Sequence, residues 1–228
     1  MNKFRFSVII PIYNEESVVE KSIRRFTELF KKYADYEIIL GDNGSTDSTP
    51  EKCRSLAKRF KHVKYIRIEE KGIGLALKEM IRRARFENII FLPIDFSVNM
   101  KFIDEALPLL SRYDIIVGSK RVKGAVDDRP LDRRLITLIL NLLVNTVFGL
   151  DIKDTQCVKA FKKSKIKRIS QKVGSKNAFF DVELLLLAKR SRLKMIEIPV
   201  ICHDHRKSKF NILREFFKII FRMAELYR

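Results

Sequence analysis

The feature that most constrains this chain is a pattern repeated four times: a short apolar run that reads as a buried strand, a turn, and a stretch with apolar residues at helical spacing. "FSVIIPIYN" closes on proline and asparagine. It is followed by "EESVVEKSIRRFTELFKKY", in which Val18, Ile23, Phe26 and Phe30 recur at helical intervals. "YEIILGD" precedes "PEKCRSLAKRF", "VKYIRIE" precedes "GLALKEMIRRAR", and "NIIFLPID" precedes "MKFIDEALPLLSRY". Strand-helix units in series predict an α/β fold with a mostly parallel central sheet and helices on both faces. Ligands of such sheets sit beyond the carboxyl ends of the strands. Chemistry is therefore expected at residues 11–16, 42–47, 71–74 and 95–97. After "DIIVGSKR" the alternation loosens, with a helix expected near 130–148, another near 179–190, and a strand at "KMIEIPVI".

A chain of 228 residues, 46% hydrophobic, buries one sizeable core and reads as one unit without repeats or linkers. Its 47 Lys and Arg against 28 Asp and Glu leave a net charge of +19, which points to an anionic partner: nucleic acid, a phosphorylated substrate, or an acidic membrane surface. Cys53, Cys157 and Cys202 are odd in number, far apart and lack CxxC spacing, which argues against a disulfide framework and a zinc site and for a reducing, cytosolic compartment. The N-terminal apolar run is too short for a signal peptide and is followed by acids.

Several residues carry both a structural and a functional reading. In "GDNGSTDST", Asn43-Gly44 makes a turn and Ser48 or Thr49 caps a helix that opens with Pro50 and Glu51. Asp42 is left over, and an acid at a strand end accepts hydrogen bonds from a nucleobase or ribose. Asp95 in "FLPIDFS" is either a strand end or a ligand to a hard cation on a diphosphate, with Ser97 a weak second ligand. Lys71, Gly72 and Gly74 form a glycine turn into a helix, which by itself is weak support for phosphate binding. From 131 to 148, Arg134, Thr137, Asn141 and Asn145 fall on one helical stripe, while Leu138, Ile139, Leu142, Leu143 and Val147 fill the other faces. Such a helix is either core or lies in a membrane interface with Arg133 and Arg134 toward a lipid phosphate, being too short to span. At the C-terminus, Arg214, Lys218 and Arg222 stand opposite Leu213, Phe217, Ile220 and Phe221, a basic amphipathic pattern for a membrane surface, a partner or the core edge. His203 and His205 flank Asp204, a pair that is solvated or helps a poor metal site at Asp95.

Taken in order, "SVIIPIYNEE", "GDNGSTDST", "KGIGLALKEMI", "FLPIDFS", "VGSKRVKG", "RRLIT", "DTQCVKAF", "FFDVELLLLAKR" and "EIPV" followed by "SK" resemble the inverting family 2 glycosyltransferases of the GT-A fold. The chain looks most like the polyprenyl-phosphate (dolichyl-phosphate) glucosyl- and mannosyltransferases, with "DTQC" and "FDVELL" leaning to the glucosyl branch. The resemblance implies a GT-A domain over residues 1–209, and the residue pattern makes 210–228 a basic amphipathic helix belonging to the same unit. It implies that Pro11, Tyr13, Glu15, Asp42 and Asn43 meet the nucleotide of a UDP-glucose or GDP-mannose donor, and that Lys71 and Gly72 stand at the same site. Asp95 would meet Mg2+ or Mn2+ on the diphosphate, Arg121 and Arg134 would hold phosphate, and Lys209 would close on the donor or the lipid phosphate. Asp154, Asp181 and Glu183 match acids of the sugar pocket.

The implied partners are a nucleotide sugar and a polyprenyl phosphate, with the protein peripheral on the cytoplasmic face of a membrane and no nucleic acid involved. Three departures fall at the site. Pro93-Ile94-Asp95 stands where the family has Asp-x-Asp, Asn43 replaces a second aspartate, and Val158-Lys159 replaces Gly-Phe. The alternatives are a transferase with a saccharide or protein acceptor, and a non-catalytic nucleotide- or nucleic-acid-binding protein with a degenerate metal site; against the last, no aromatic-basic RNA motif or helix-turn-helix is found.

Overall fold

The structure is a computed structural model and describes residues 2–204. The strands are β1 (Asn2–Ile12), β2 (Tyr33–Asn43), β3 (Val63–Ile68), β4 (Asn88–Phe91), β5 (Ile115–Ser119), β6 (Val126–Asp127), β7 (Lys159–Lys162), β8 (Met195–Pro199) and β9 (Ile201–Cys202). Between them run α1 (Val19–Phe30), α2 (Thr49–Arg59), α3 (Ile73–Arg83), α4 (Lys101–Leu109), α5 (Leu131–Phe148), α6 (Lys163–Lys172) and α7 (Phe180–Arg190). One sheet has the order β3-β2-β1-β4-β7-β5-β8, and β6 pairs with β9 in a separate ribbon.

The apolar runs form strands because both faces of the sheet are covered. Val8 and Ile10 of β1 belong to a core shared with α1, α2 and α4, whereas Ile9 between them belongs to a second core shared with α3, α5, α6 and α7. Both faces therefore need apolar side chains, and a fully buried isoleucine contributes about 1.5–3 kcal/mol relative to an exposed one. Helix α1 turns Val19, Ile23, Phe26 and Phe30 onto the first core, the spacing of one helical stripe.

The mostly parallel sheet with helices on both faces is as expected, with one interruption. Strand β7 runs antiparallel to both its neighbours, β4 and β5. Its four residues, "KAFK", are too short and too basic to signal a strand, and neither β7 nor α6 is anticipated by the sequence pattern.

Helix α5 corrects the ordinary picture of an amphipathic helix. Its buried residues are Thr137, Leu140, Asn141 and Val144, while Leu135, Leu138 and Leu142 are 58%, 47% and 63% exposed. The polar stripe faces inward because it secures the chain leading to β7. Asn141 Oδ1 accepts from the Thr155 backbone (3.0 Å) and hydroxyl (2.8 Å), and Asn145 Nδ2 donates to the Ile152 carbonyl (2.9 Å). Among the described residues no helix is long and apolar enough to cross a membrane.

Candidate active site

The carboxyl ends of β1 and β2 carry the first part of the site. Asp42, fully buried, accepts hydrogen bonds from the Ser45 backbone (2.9 Å), the Tyr65 hydroxyl (2.7 Å) and Arg67 Nη1 (3.2 Å). Three donors on two strand ends hold its carboxylate rigid. Burial, and then Asp42, push the Tyr65 hydroxyl above its ordinary value, so it stays a donor. Pro11 lies beside Gly41 in the register of β1 on β2. The turns after these strands are stitched together: Asn14, in left-handed conformation (φ 53), receives a hydrogen bond from the Thr46 amide (2.8 Å), and the Glu15 amide donates to the Thr49 hydroxyl (2.8 Å). Helix α2 is not capped by a Ser48 or Thr49 side chain, as the sequence suggests. Asp47 Oδ1 accepts from the Thr49 amide (2.9 Å) instead.

Lys71 and Tyr13 meet here, the ammonium 4.0 Å from the ring centroid. The glycine turn beside them has another purpose than an amide cradle. Gly72 donates its amide to Asn43 Oδ1 and Gly74 donates its amide to the Lys176 carbonyl (2.9 Å). A Cβ at Gly74 would stand 2.5 Å from the Ser175 carbonyl, so the motif lets the 175–176 segment approach.

Asp95 sits on a strained turn. Its Oδ1 accepts from the Ser97 amide (3.0 Å), and Phe96 between them has φ 58, a left-handed conformation that costs a bulky residue about 1–3 kcal/mol. The Phe96 ring offsets that cost by stacking on Phe26 at 4.1 Å, with Arg25 4.3 Å from its centroid. Among the described residues no group of three or more His, Cys, Asp or Glu could hold a metal ion. A single carboxylate can serve a divalent ion that takes most of its ligands from a diphosphate and water, and Asp95 is the acid in the turn that follows β4. Of the histidine pattern, His203 Nδ1 lies 3.0 Å from Asp128, and Asp204 pairs with Arg133 at 2.8 Å.

The second part of the site is a cavity of about 270 Å3 lined by Pro93 and Ser97, by Lys120, Arg129 and Arg133, and by Asp181. Each cation on its wall has a carboxylate. Lys120 pairs with Asp154 at 2.7 Å, Arg129 with Asp127 at 2.7 Å, and Arg133 with Asp204. Burial would lower the Lys120 ammonium, but the Asp154 carboxylate 2.7 Å away offsets this, and the ammonium stands above its ordinary value. Burial pushes the Cys202 thiol up to about 11, which makes it a packing group and not a nucleophile.

The structure brings Arg121 and Arg134 together: Arg121 Nη2 donates to the Arg134 carbonyl (2.7 Å), and buried Arg121 Nε has no acceptor among the described residues. Asp181 faces the cavity, but Glu183 does not. Its carboxylate accepts from the amides of Gly174 (2.7 Å) and Ser175 (3.0 Å) and holds the turn before α7. Asp154 is fully buried behind Lys120. Lys209, His205 and the 210–228 helix lie outside the described residues. Sequence reasoning did not single out Lys120 or Arg129, because an isolated basic residue after a strand in a chain this basic carries no signal, and it marked Lys159 only as a departure from the family's Gly-Phe.

The Glycosyl transferase family 2 profile matches residues 7–174. The chain is 28% identical over 216 residues to the glycosyltransferase AglD of Haloferax volcanii, covering 92% of this chain and 35% of that protein, so it spans about a third of that relative. It is 28% identical over 252 residues to the dolichyl-phosphate beta-glucosyltransferase of Saccharomyces cerevisiae, covering 96% of this chain and 75% of that protein. Among solved structures, glucosyl-3-phosphoglycerate synthase from Mycobacterium tuberculosis, in complex with Mn2+ and UDP-glucose, superimposes with a TM-score of 0.68 at 14% identity over 98% of this chain and 78% of that one. The fold is thus the GT-A type.

Proposed function

The chain belongs to glycosyl transferase family 2, and from that premise we propose that it transfers one hexose, with inversion, from a nucleotide-diphosphate sugar to a polyprenyl phosphate, working peripherally on the cytoplasmic face of a membrane. One observation carries the acceptor. The Arg121 and Arg134 pair stands at the start of α5, whose Leu135, Leu138 and Leu142 face outward. Cationic donors beside exposed apolar surface suit a ligand with an anionic head and a hydrocarbon tail.

In this reading the strand-end set of Pro11, Tyr13, Asp42, Asn43 and Lys71 receives the nucleotide, and Asp181 faces the hexose. A lipid phosphate is already anionic at neutral pH. Its oxygen attacks the anomeric carbon from the side opposite the diphosphate, the new C–O bond forms as the old one breaks, and the electron pair leaves on the nucleoside diphosphate. What the protein supplies is alignment and charge neutralisation rather than a strong base. Arg121 and Arg134 fix the attacking phosphate. Asp95 would hold Mg2+ or Mn2+, which when bound neutralises charge on the leaving diphosphate.

The test is incubation with radiolabelled UDP-glucose or GDP-mannose and vesicles containing a polyprenyl phosphate. Label from one donor is expected to pass into organic-extractable lipid, and to fall at least about tenfold with Arg134→Ala. Label reaching a water-soluble saccharide or protein, with none in lipid, would overturn the acceptor.

A further inference from the structure

Lys159 lies in β7, opposite Phe91 of β4, and its side chain is 0% exposed. Its ammonium donates to the Cys157 carbonyl (2.8 Å), stands 3.2 Å from Asp181 Oδ1, and lies 5.6 Å from the centre of the Phe91 ring. Burying an ammonium costs several kcal/mol unless a counter-charge and hydrogen bonds compensate it. Two apolar side chains could fill the same space at no net cost. What they could not do is present a carboxylate to the cavity, and Asp181 is on the cavity wall.

We infer that Lys159 is a positioning residue for Asp181: from beneath the cavity it fixes one carboxylate oxygen, so that the carboxylate accepts a hydrogen bond from a hydroxyl of the donor hexose. This rests on the nucleotide-sugar reading above and adds to it a residue outside the cavity lining. Lys159 is the cation directly on Asp181. The other charged groups around the cavity are engaged: Lys120 with Asp154, Arg129 with Asp127, and Arg133 with Asp204. On α7 itself, Glu183 is turned to the 174–175 amides, and α3 contributes Ile73 and Leu77 to the cavity. Cys157 and Cys202 also line it, their thiols raised by burial. The Asp181 carboxyl is pushed up by burial and pulled back by Lys159, with Asp154 adding a smaller upward push. Without the ammonium, the acid would stay protonated to higher pH.

The experiment compares wild type, Lys159→Met, Lys159→Arg, Asp181→Asn and the Lys159→Met/Asp181→Asn pair by calorimetric titration of nucleotide sugar (UDP-glucose, GDP-mannose) and of bare nucleotide (UDP, GDP) across pH. Lys159→Met is expected to weaken nucleotide-sugar binding about tenfold or more while leaving the bare nucleotide within about twofold. It should also move the acid limb of sugar-nucleotide binding up by about one to three pH units, and Lys159→Arg should restore both. The double variant leaves no charge of the pair buried alone, and it is expected to bind as Asp181→Asn alone does. Equal weakening of both ligands, an unmoved acid limb, or a double variant whose losses add would overturn the inference. Wild type that binds a nucleotide sugar but glycosylates no lipid would overturn the acceptor reading and leave this test standing.

Discussion

The two sides of the sheet handle charge differently. In β3-β2-β1-β4, all parallel, Asp42 is held by a backbone amide, a phenol and a half-exposed arginine on neighbouring elements. In β7-β5-β8 and the segments above it, charges meet in buried pairs: Lys120–Asp154 and Lys159–Asp181, with Arg129–Asp127 nearby. Close packing of short local motifs suffices to fix one carboxylate at the end of β2. The other side has to hold several cations around one cavity without letting them repel, and it does so by giving each an anion.

This difference can be broken at its strongest point. Lys120→Met leaves Asp154 buried without its cation, and denaturant unfolding should show a loss of about 3–5 kcal/mol; a loss below about 1 kcal/mol would mean that Asp154 reaches water. The equivalent change on the Asp42 side is milder. Asp42→Ala removes an acceptor from Ser45, Tyr65 and Arg67, of which the last can turn to solvent, so unfolding should show about 1–3 kcal/mol. UDP or GDP affinity should fall in the same variant.

On the outer surface the contrast is between association and stability. Leu142→Glu should change unfolding free energy by no more than about 0.5 kcal/mol, yet lower co-sedimentation with anionic vesicles severalfold; unchanged sedimentation would remove α5 from the membrane contact. The smallest effect belongs to Glu79, which Arg82, and after it Arg83, hold down to about 2. Its folded value lies below the ordinary 4.5, so its contribution is present above that pH and is lost as pH falls toward 2. The pair is partly exposed, and Glu79→Gln should cost under about 1 kcal/mol at neutral pH, a difference that closes on acidification.

The parallel order and the strand-end cluster around Asp42 were legible because both are local. "FSVIIPIYN" must be buried on two faces, and Asp42, Asn43, Lys71 and Tyr13 stand at or just after strand ends that the pattern locates. Even there the reason was sometimes different, as Gly72 and Gly74 serve a close approach of the 175–176 segment. The other side was less legible because its partners are far apart in sequence. Asp154 is 34 residues from Lys120, and Asp204 is 71 from Arg133. Strand β7 could not be read because a strand carrying Lys159 looks solvated until Asp181 is known to face it. The acids of "FDVELL" could be recognised together, but which one faced the cavity depended on the pitch of α7, which turns Asp181 to the cavity and Glu183 to the turn beneath.

Phe96 sets a limit on how the Asp95 turn can be altered. Glycine accepts the left-handed backbone at no steric cost, so Phe96→Gly would relax the turn. The same change deletes the ring lodged between Phe26 and Arg25. A single replacement would thus make the turn easier to form and harder to hold still. The bearing of the Asp95 carboxylate is set by an aromatic clasp made with a helix on the far side of the turn.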